Sequence, residues 1–219
     1  MTPNQVTAAR VVAGFLAVAI FTVLGRKIWA DAGALLLIIA AIALDALDGY
    51  LARKRNLATP LGAQFDILGD RIIENLFFTF FATAGLITVW VPVFFFARGT
   101  ITDFLRAVAA KAGRNGFGKN SMLETNWGRA IVASRASRVA YAALKCICFC
   151  WLGLELTIER SSALAMSEPI ALTLRAATYS LCGATVCFCL VRAVPVLWEG
   201  RRFLATLAPL PARAVGVTR

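Results

Sequence analysis

The sequence predicts an all-α polytopic membrane protein, a bundle of six transmembrane helices with a short N-terminal interfacial helix. Of its 219 residues, 59% are hydrophobic, and the mean hydropathy is +0.73. A soluble domain is usually about 45–50% apolar. The excess lies in runs long enough to cross about 30 Å of hydrocarbon at about 1.5 Å per residue. Basic residues gather in alternate connections between those runs. No Pro/Gly/Ser-rich linker, internal repeat or low-complexity tract divides the chain, so 1–219 is expected to be one integral-membrane domain.

The first span is expected over about 8–25, ending at Gly25-Arg26-Lys27. Its start is weakly charged and no convincing cleavage site follows, so it is read as retained and not as a signal peptide. The second span, about 31–52, runs into a stretch rich in aspartate. The third covers about 62–86, and the fourth, about 88–110, contains VWVPVFFFARG. The fifth and sixth cover about 130–156 and about 169–194.

An even number of spans puts both termini on one side, and loop charge selects the side. Arg53, Lys54, Arg55, Lys111, Arg114, Lys119, Arg129, Arg201, Arg202, Arg213 and Arg219 face Arg26, Lys27 and Arg160 across the bilayer, eleven against three. The richer side is expected to be cytoplasmic. The net charge of +11 then serves anionic headgroups, and nucleic acid is not expected, because the aromatics that could stack bases lie inside apolar runs.

The chain has no histidine, which removes Ser-His-Asp and Cys-His catalysis and His-ligated zinc. All six cysteines fall in apolar segments. The thiols of CICFC (Cys146, Cys148, Cys150) are two apart, about 200° round a helix, which suits small buried hydrophobes better than a shared metal or a disulfide. Any chemistry must come from carboxylates and a hard metal.

Four carboxylates stand together in DALDGYLARKRNLATPLGAQFDILGD, residues 45–70. Asp45 and Asp48 are i,i+3 at the end of span two. Asp66 and Asp70 are i,i+4 at the start of span three, and Gly62 continues their face one turn earlier. The short connection makes the two helices antiparallel neighbours, so the four can converge at one depth near the cytoplasmic surface. Each carboxylate costs about 2.5–3.5 kcal/mol at a helix centre, and four together repel. Protonation relieves this, and so do divalent cations; oxygen ligands favour Mg²⁺, Mn²⁺ or Ca²⁺. Two ions about 3.5–4 Å apart suit displacement at phosphorus. Gly49, Ala52 and Gly62 let a helix or a bulky substrate approach. The alternative, interfacial aspartates paired with Arg53 or Arg71, explains one aspartate better than four.

The order Asp45-x2-Asp48-Gly49-x2-Ala52-Arg53-x8-Gly62-x3-Asp66-x3-Asp70 resembles the signature of the CDP-alcohol phosphotransferases. The six-span layout fits the same family. The resemblance implies transfer of a phosphatidyl or similar group from a CDP-linked donor such as CDP-diacylglycerol to an alcohol, with release of CMP. It implies that Asp45, Asp48 and Asp66 hold two divalent ions, Mg²⁺ or Mn²⁺. Asp70 would approach the second ion and act as the base for the acceptor's proton. Gly49, Arg53 and Thr59 match positions that contact the CDP part, with Gly62 beside them. PNQVTAAR resembles the family's Pro-Asn-x2-Thr-x2-Arg opening, which adds Asn4, Thr7 and Arg10 near the donor. A homodimer in the bacterial cytoplasmic membrane is the matching expectation.

Span four holds Arg98 and Arg106, eight apart and roughly on one face, and Arg135 and Arg138 begin span five. The span-four pair resembles that of the phosphatidylglycerophosphate synthases, which implies a phosphorylated acceptor, glycerol 3-phosphate. DILGDR and NWGRAIVASRASR depart from that branch, and inositol phosphate would need similar arginines. A transporter would more often show broken helices or repeated halves near the midplane, and a membrane phosphatase would use water in place of the alcohol.

Overall fold

The computed structural model describes residues 3–25, 27–54, 60–111, 125–161 and 167–207, and these are all-helical in architecture. Helix α1 spans Pro3–Val23, α2 Ile28–Lys54, α3 Pro60–Thr83 and α4 Trp90–Lys111. A single turn, α5 (Asn126–Gly128), leads into a π-helical turn, Arg129–Ala133. Helices α6 (Arg135–Arg160) and α7 (Glu168–Leu207) follow. The expected spans fall on α1 to α4, α6 and α7. The N-terminal motif shares one continuous helix with the first span.

Local chemistry sets the ends. At the close of α3, Gly85 adopts φ 86°, which a residue without Cβ takes at least cost. Leu86 N–H then reaches Phe81 O at 3.1 Å and Gly85 N–H reaches Ala82 O at 3.1 Å, the paired bonds of a Schellman cap. The Thr88 hydroxyl accepts from Trp90 N–H at 3.1 Å as α4 begins. Ser134 leaves helical geometry at ψ 141°, and its hydroxyl accepts from Ser137 N–H at 3.2 Å, separating the π-helical turn from α6.

Asn4–Val23, Arg135–Arg160 and Glu168–Arg202 have mean hydropathies of 2.1, 1.6 and 1.9 and are long and apolar enough to cross a membrane. Ile28–Leu44 is a shorter apolar stretch. Helices α3 and α4 carry charge within their length: Asp66, Asp70, Arg71 and Glu74 on one, and Arg98, Asp103 and Arg106 on the other.

The chain divides into two compact units. The first comprises residues 1–97 and 142–186. There α1 packs on α2 and α3, and an aromatic core fills the bundle. Phe78 stacks on Phe95 with ring centroids 4.4 Å apart, while Phe77 meets Phe149 edge-on at 5.2 Å. A Cβ on Gly153 would stand 2.9 Å from Leu35 Cδ1, so glycine lets α6 close on α2. The second unit comprises 98–141 and 187–219, with a core of Leu105, Ala109, Val132 and Val196.

Cys148, Cys182 and Cys189 are buried, Cys146 and Cys150 partly so, and Cys187 is exposed. The reading as small buried hydrophobes suits the first three. Cys148 and Cys182 Sγ lie 3.6 Å apart, a contact between α6 and α7 that spacing within CICFC does not reveal.

Candidate active site

Asp66 and Asp70 stand one turn apart on α3, and both side chains face α1. Arg10 Nη1 donates to Asp70 Oδ1 at 3.0 Å, and Nη2 lies 3.3 Å from Asp66 Oδ1. Nη2 also lies 3.4 Å from the Asp66 carbonyl. The guanidinium is 2% exposed, whereas the carboxylates are 48% and 47% exposed. Arg10 thus enters from the protein side and leaves much of each carboxylate open. The pairing is possible because α1 lies very close to α3 at Gly69. A Cβ there would fall 2.7 Å from Thr7 Cγ2 and 2.8 Å from Arg10 Nη2.

Arg10 is the basic partner described for Asp66 and Asp70, while the side chain of Arg53 lies outside the described residues. Arg71 pairs with Glu74, with Nη1 2.8 Å from Oε2. Thr7 is buried beside Arg10, while Asn4, from the same opening motif, is exposed. Gly62 lies on α3, one turn before Asp66. Asp45, Asp48, Gly49 and Arg53 are carried by the last turns of α2, but their side-chain environment lies outside the described residues, as does Thr59 entirely.

The donor set fits a hard cation. Asp66 and Asp70 present carboxylate oxygens on one face, and they have already drawn one positive group between them. Among the described residues no three His, Cys, Asp or Glu side chains gather as a metal cluster; the two remaining motif aspartates fall outside that description.

A small cavity opens inward from this face, within the first unit, lined by Arg10, Ala41, Ile42, Asp70, Ile73, Glu74, Ala142, Lys145, Cys146 and Phe149. Glu74, 2% exposed, receives Arg71 on one oxygen and Lys145 Nζ on the other at 3.2 Å. Sequence reasoning missed both Glu74 and Lys145. The signal was present: Glu74 extends the Asp66–Asp70 face by another turn, and Lys145 is a charge inside an apolar run.

In the second unit the arginines expected to hold the acceptor are placed unevenly. Arg98 sits 5.8 Å from the Tyr141 ring centroid. Arg106 pairs with Asp103 on its own helix at 3.3 Å. Arg135 and Arg138 are exposed on the first turn of α6. Arg192, which sequence reasoning also missed, approaches the same Tyr141 ring at 5.3 Å. It donates to Ile131 O at 3.1 Å, Val132 O at 3.2 Å and Ser137 Oγ, tying the π-helical turn to α7. Arg98 and Arg138 lie within electrostatic reach of it. An arginine in the apolar run LVRAVPVLW was the available signal.

The family model described as CDP-alcohol phosphatidyltransferase matches residues 1–198. The chain belongs to that family. It is 39% identical over 74 residues to a CDP-diacylglycerol--glycerol-3-phosphate 3-phosphatidyltransferase of Rickettsia typhi, covering 32% of this chain and 39% of the relative. A protein of the same name from Bacillus subtilis is 35% identical over 82 residues, 37% of this chain and 42% of that one. A cardiolipin synthase (CMP-forming) of Oryza sativa subsp. japonica is 38% identical over 71 residues, 32% of this chain and 21% of that one. The aligned stretch thus spans about two fifths or less of each of these relatives.

Proposed function

We propose that this chain is a metal-dependent phosphatidyltransferase that moves the phosphatidyl group of CDP-diacylglycerol to the hydroxyl of a small phosphorylated alcohol, glycerol 3-phosphate, and releases CMP. The observation that carries the reading is the Asp-x2-Asp-Gly…Gly-x3-Asp-x3-Asp motif on α2 and α3, whose second half is gathered by Arg10 from the N-terminal motif. Family membership and the relatives' names support the chemistry and the choice of acceptor.

In this reading Asp45, Asp48, Asp66 and Asp70 hold two Mg²⁺ or Mn²⁺ ions. Bound there, the ions supply positive charge to the donor's diphosphate and to the departing CMP. Asp70 takes the acceptor's hydroxyl proton on a carboxylate oxygen. The freed oxygen bonds to the phosphorus that carries diacylglycerol, and the bond from that phosphorus to CMP breaks, CMP keeping the electron pair. Gly49, Arg53, Thr59, Gly62, Asn4 and Thr7 are offered to the CDP part. Arg10 braces Asp66 and Asp70. Arg98, Arg106, Arg135 and Arg138 are offered to the acceptor's phosphate, and Arg192 joins them.

The six long helices are taken to cross the membrane, with both termini and the aspartates on the cytoplasmic side, because the basic connections lie there. The test is to supply purified protein with CDP-diacylglycerol and Mg²⁺ and to offer glycerol 3-phosphate, inositol phosphate, serine and inositol separately. CMP release is expected with glycerol 3-phosphate. Release with serine or inositol alone would reassign the acceptor, and release with none would remove the transferase reading.

A further inference from the structure

A lysine near the middle of an apolar membrane helix is costly, and such residues are retained where they act. Lys145 is one, and it lies on the wall of the cavity that Asp70 also lines. About 80 Å³ of that cavity admits water-sized groups. That space admits a small polyol, and Asp70, offered as the base for the acceptor's hydroxyl, stands on its wall.

Its polar lining pairs donors with acceptors. Glu74 Oε1 holds Lys145 Nζ at 3.2 Å, and Glu74 Oε2 holds Arg71 at 2.8 Å. The carboxylate keeps the ammonium charged and fixes its direction. An ammonium carries three N–H donors, of which one is directed at Glu74. A carboxylate beside the lysine disfavours a second anion at that spot, whereas a hydroxyl can accept from the lysine and donate to the glutamate. Asp70 takes the attacking hydroxyl at the same cavity, so the hydroxyl read by Lys145 and Glu74 is a neighbouring one.

Resting on the transferase reading above, we propose that Lys145 and Glu74 form a specificity-determining pair that binds the hydroxyl adjacent to the attacking one, so that the site selects a vicinal diol over a simple alcohol. Activity is compared on glycerol 3-phosphate and on 3-hydroxypropyl phosphate, which lacks only the middle hydroxyl, in wild type and in Lys145→Met, Lys145→Arg and Glu74→Gln. Wild type is expected to prefer the diol by at least about tenfold in kcat/KM, the loss for one charge-assisted hydrogen bond. Lys145→Met should erase most of that preference by raising KM for the diol, with the KM for CDP-diacylglycerol little changed. Lys145→Arg should keep part of the preference, and Glu74→Gln should weaken it. A merely structural salt bridge would lower activity on both esters equally and leave their ratio unchanged, which would overturn the proposal. The double variant Glu74→Gln/Lys145→Met guards against misfolding, since it removes both charges together. Recovery of the diol preference in it would also overturn the proposal. Inactivity of wild type on both esters would instead defeat the acceptor reading on which the proposal rests.

Discussion

Arg10 Nη1 donates to Asp70 Oδ1 across 3.0 Å, from a guanidinium that is almost wholly buried. The residue offered as base is thus held from behind by the first helix, and the same guanidinium reaches Asp66. Replacing Arg10 by Met is expected to slow turnover by roughly ten- to a hundredfold, the cost of a lost charge-assisted bond. Lysine should restore only part, because a point charge cannot fork between two carboxylates. CMP release at saturating substrates, with thermal unfolding alongside, checks this. Wild-type turnover in Arg10→Met would make the contact incidental.

Asp70→Asn and Asp66→Asn should fail differently. Loss of the base is expected to cost at least about a hundredfold in turnover while much donor binding survives. Loss of Asp66 should weaken Mg²⁺ and donor binding together. Equilibrium binding of CDP-diacylglycerol across a Mg²⁺ titration separates the two. Near-normal turnover by Asp70→Asn would remove it from the mechanism.

At Gly69, beside the aspartates, α1 packs tightly on α3. Its substitution by Val should drive side-chain atoms into Thr7 and Arg10, since even a Cβ meets them at 2.7 and 2.8 Å. Overpacking of this kind costs about 1–3 kcal/mol, and the shift of Arg10 should reduce activity as well. Gly183, whose Cβ would meet nothing within 4 Å, is the control. Equal effects of Val at the two positions would contradict the close packing.

Arg192 binds two carbonyls of the π-helical turn and the Ser137 hydroxyl. Arg192→Met leaves those acceptors without this buried partner, so a destabilisation of about 1–3 kcal/mol is expected, with a raised KM for the acceptor. Calorimetry and acceptor titration measure the two. An unchanged melting temperature would argue against its role as a tie between the turn and α7.

The helices were legible because apolar length is a composition signal that survives without tertiary information: the six expected stretches are helical, as α1 to α4, α6 and α7, and three of them, Asn4–Val23, Arg135–Arg160 and Glu168–Arg202, are long and apolar enough to cross a membrane. The shared face of Asp66 and Asp70 was legible because regular spacing on a helix fixes it, while the side chains of Asp45 and Asp48 lie outside the described residues. What pairs with them was not. Arg10 lies 60 residues from Asp70 in sequence, and its partner depends on a close helix approach at a glycine whose neighbours only folding reveals. The same holds for Lys145 with Glu74 and for Arg192 with the π-helical turn: each charge stood out in an apolar run, but its partner lies on another element. Arg106, grouped with Arg98 by spacing, also pairs locally with Asp103.

The central claim is that the α2–α3 aspartates join an alcohol to a phosphatidyl group, and the lipid product tests it most directly. Purified protein is incubated with CDP-diacylglycerol, glycerol 3-phosphate and Mg²⁺, and the lipids and CMP are quantified together by mass spectrometry. The account predicts phosphatidylglycerophosphate and CMP in equal amounts, abolished by EDTA and restored by Mg²⁺ or Mn²⁺. Phosphatidic acid in place of the alcohol-linked lipid, or full product yield in excess EDTA, would contradict it.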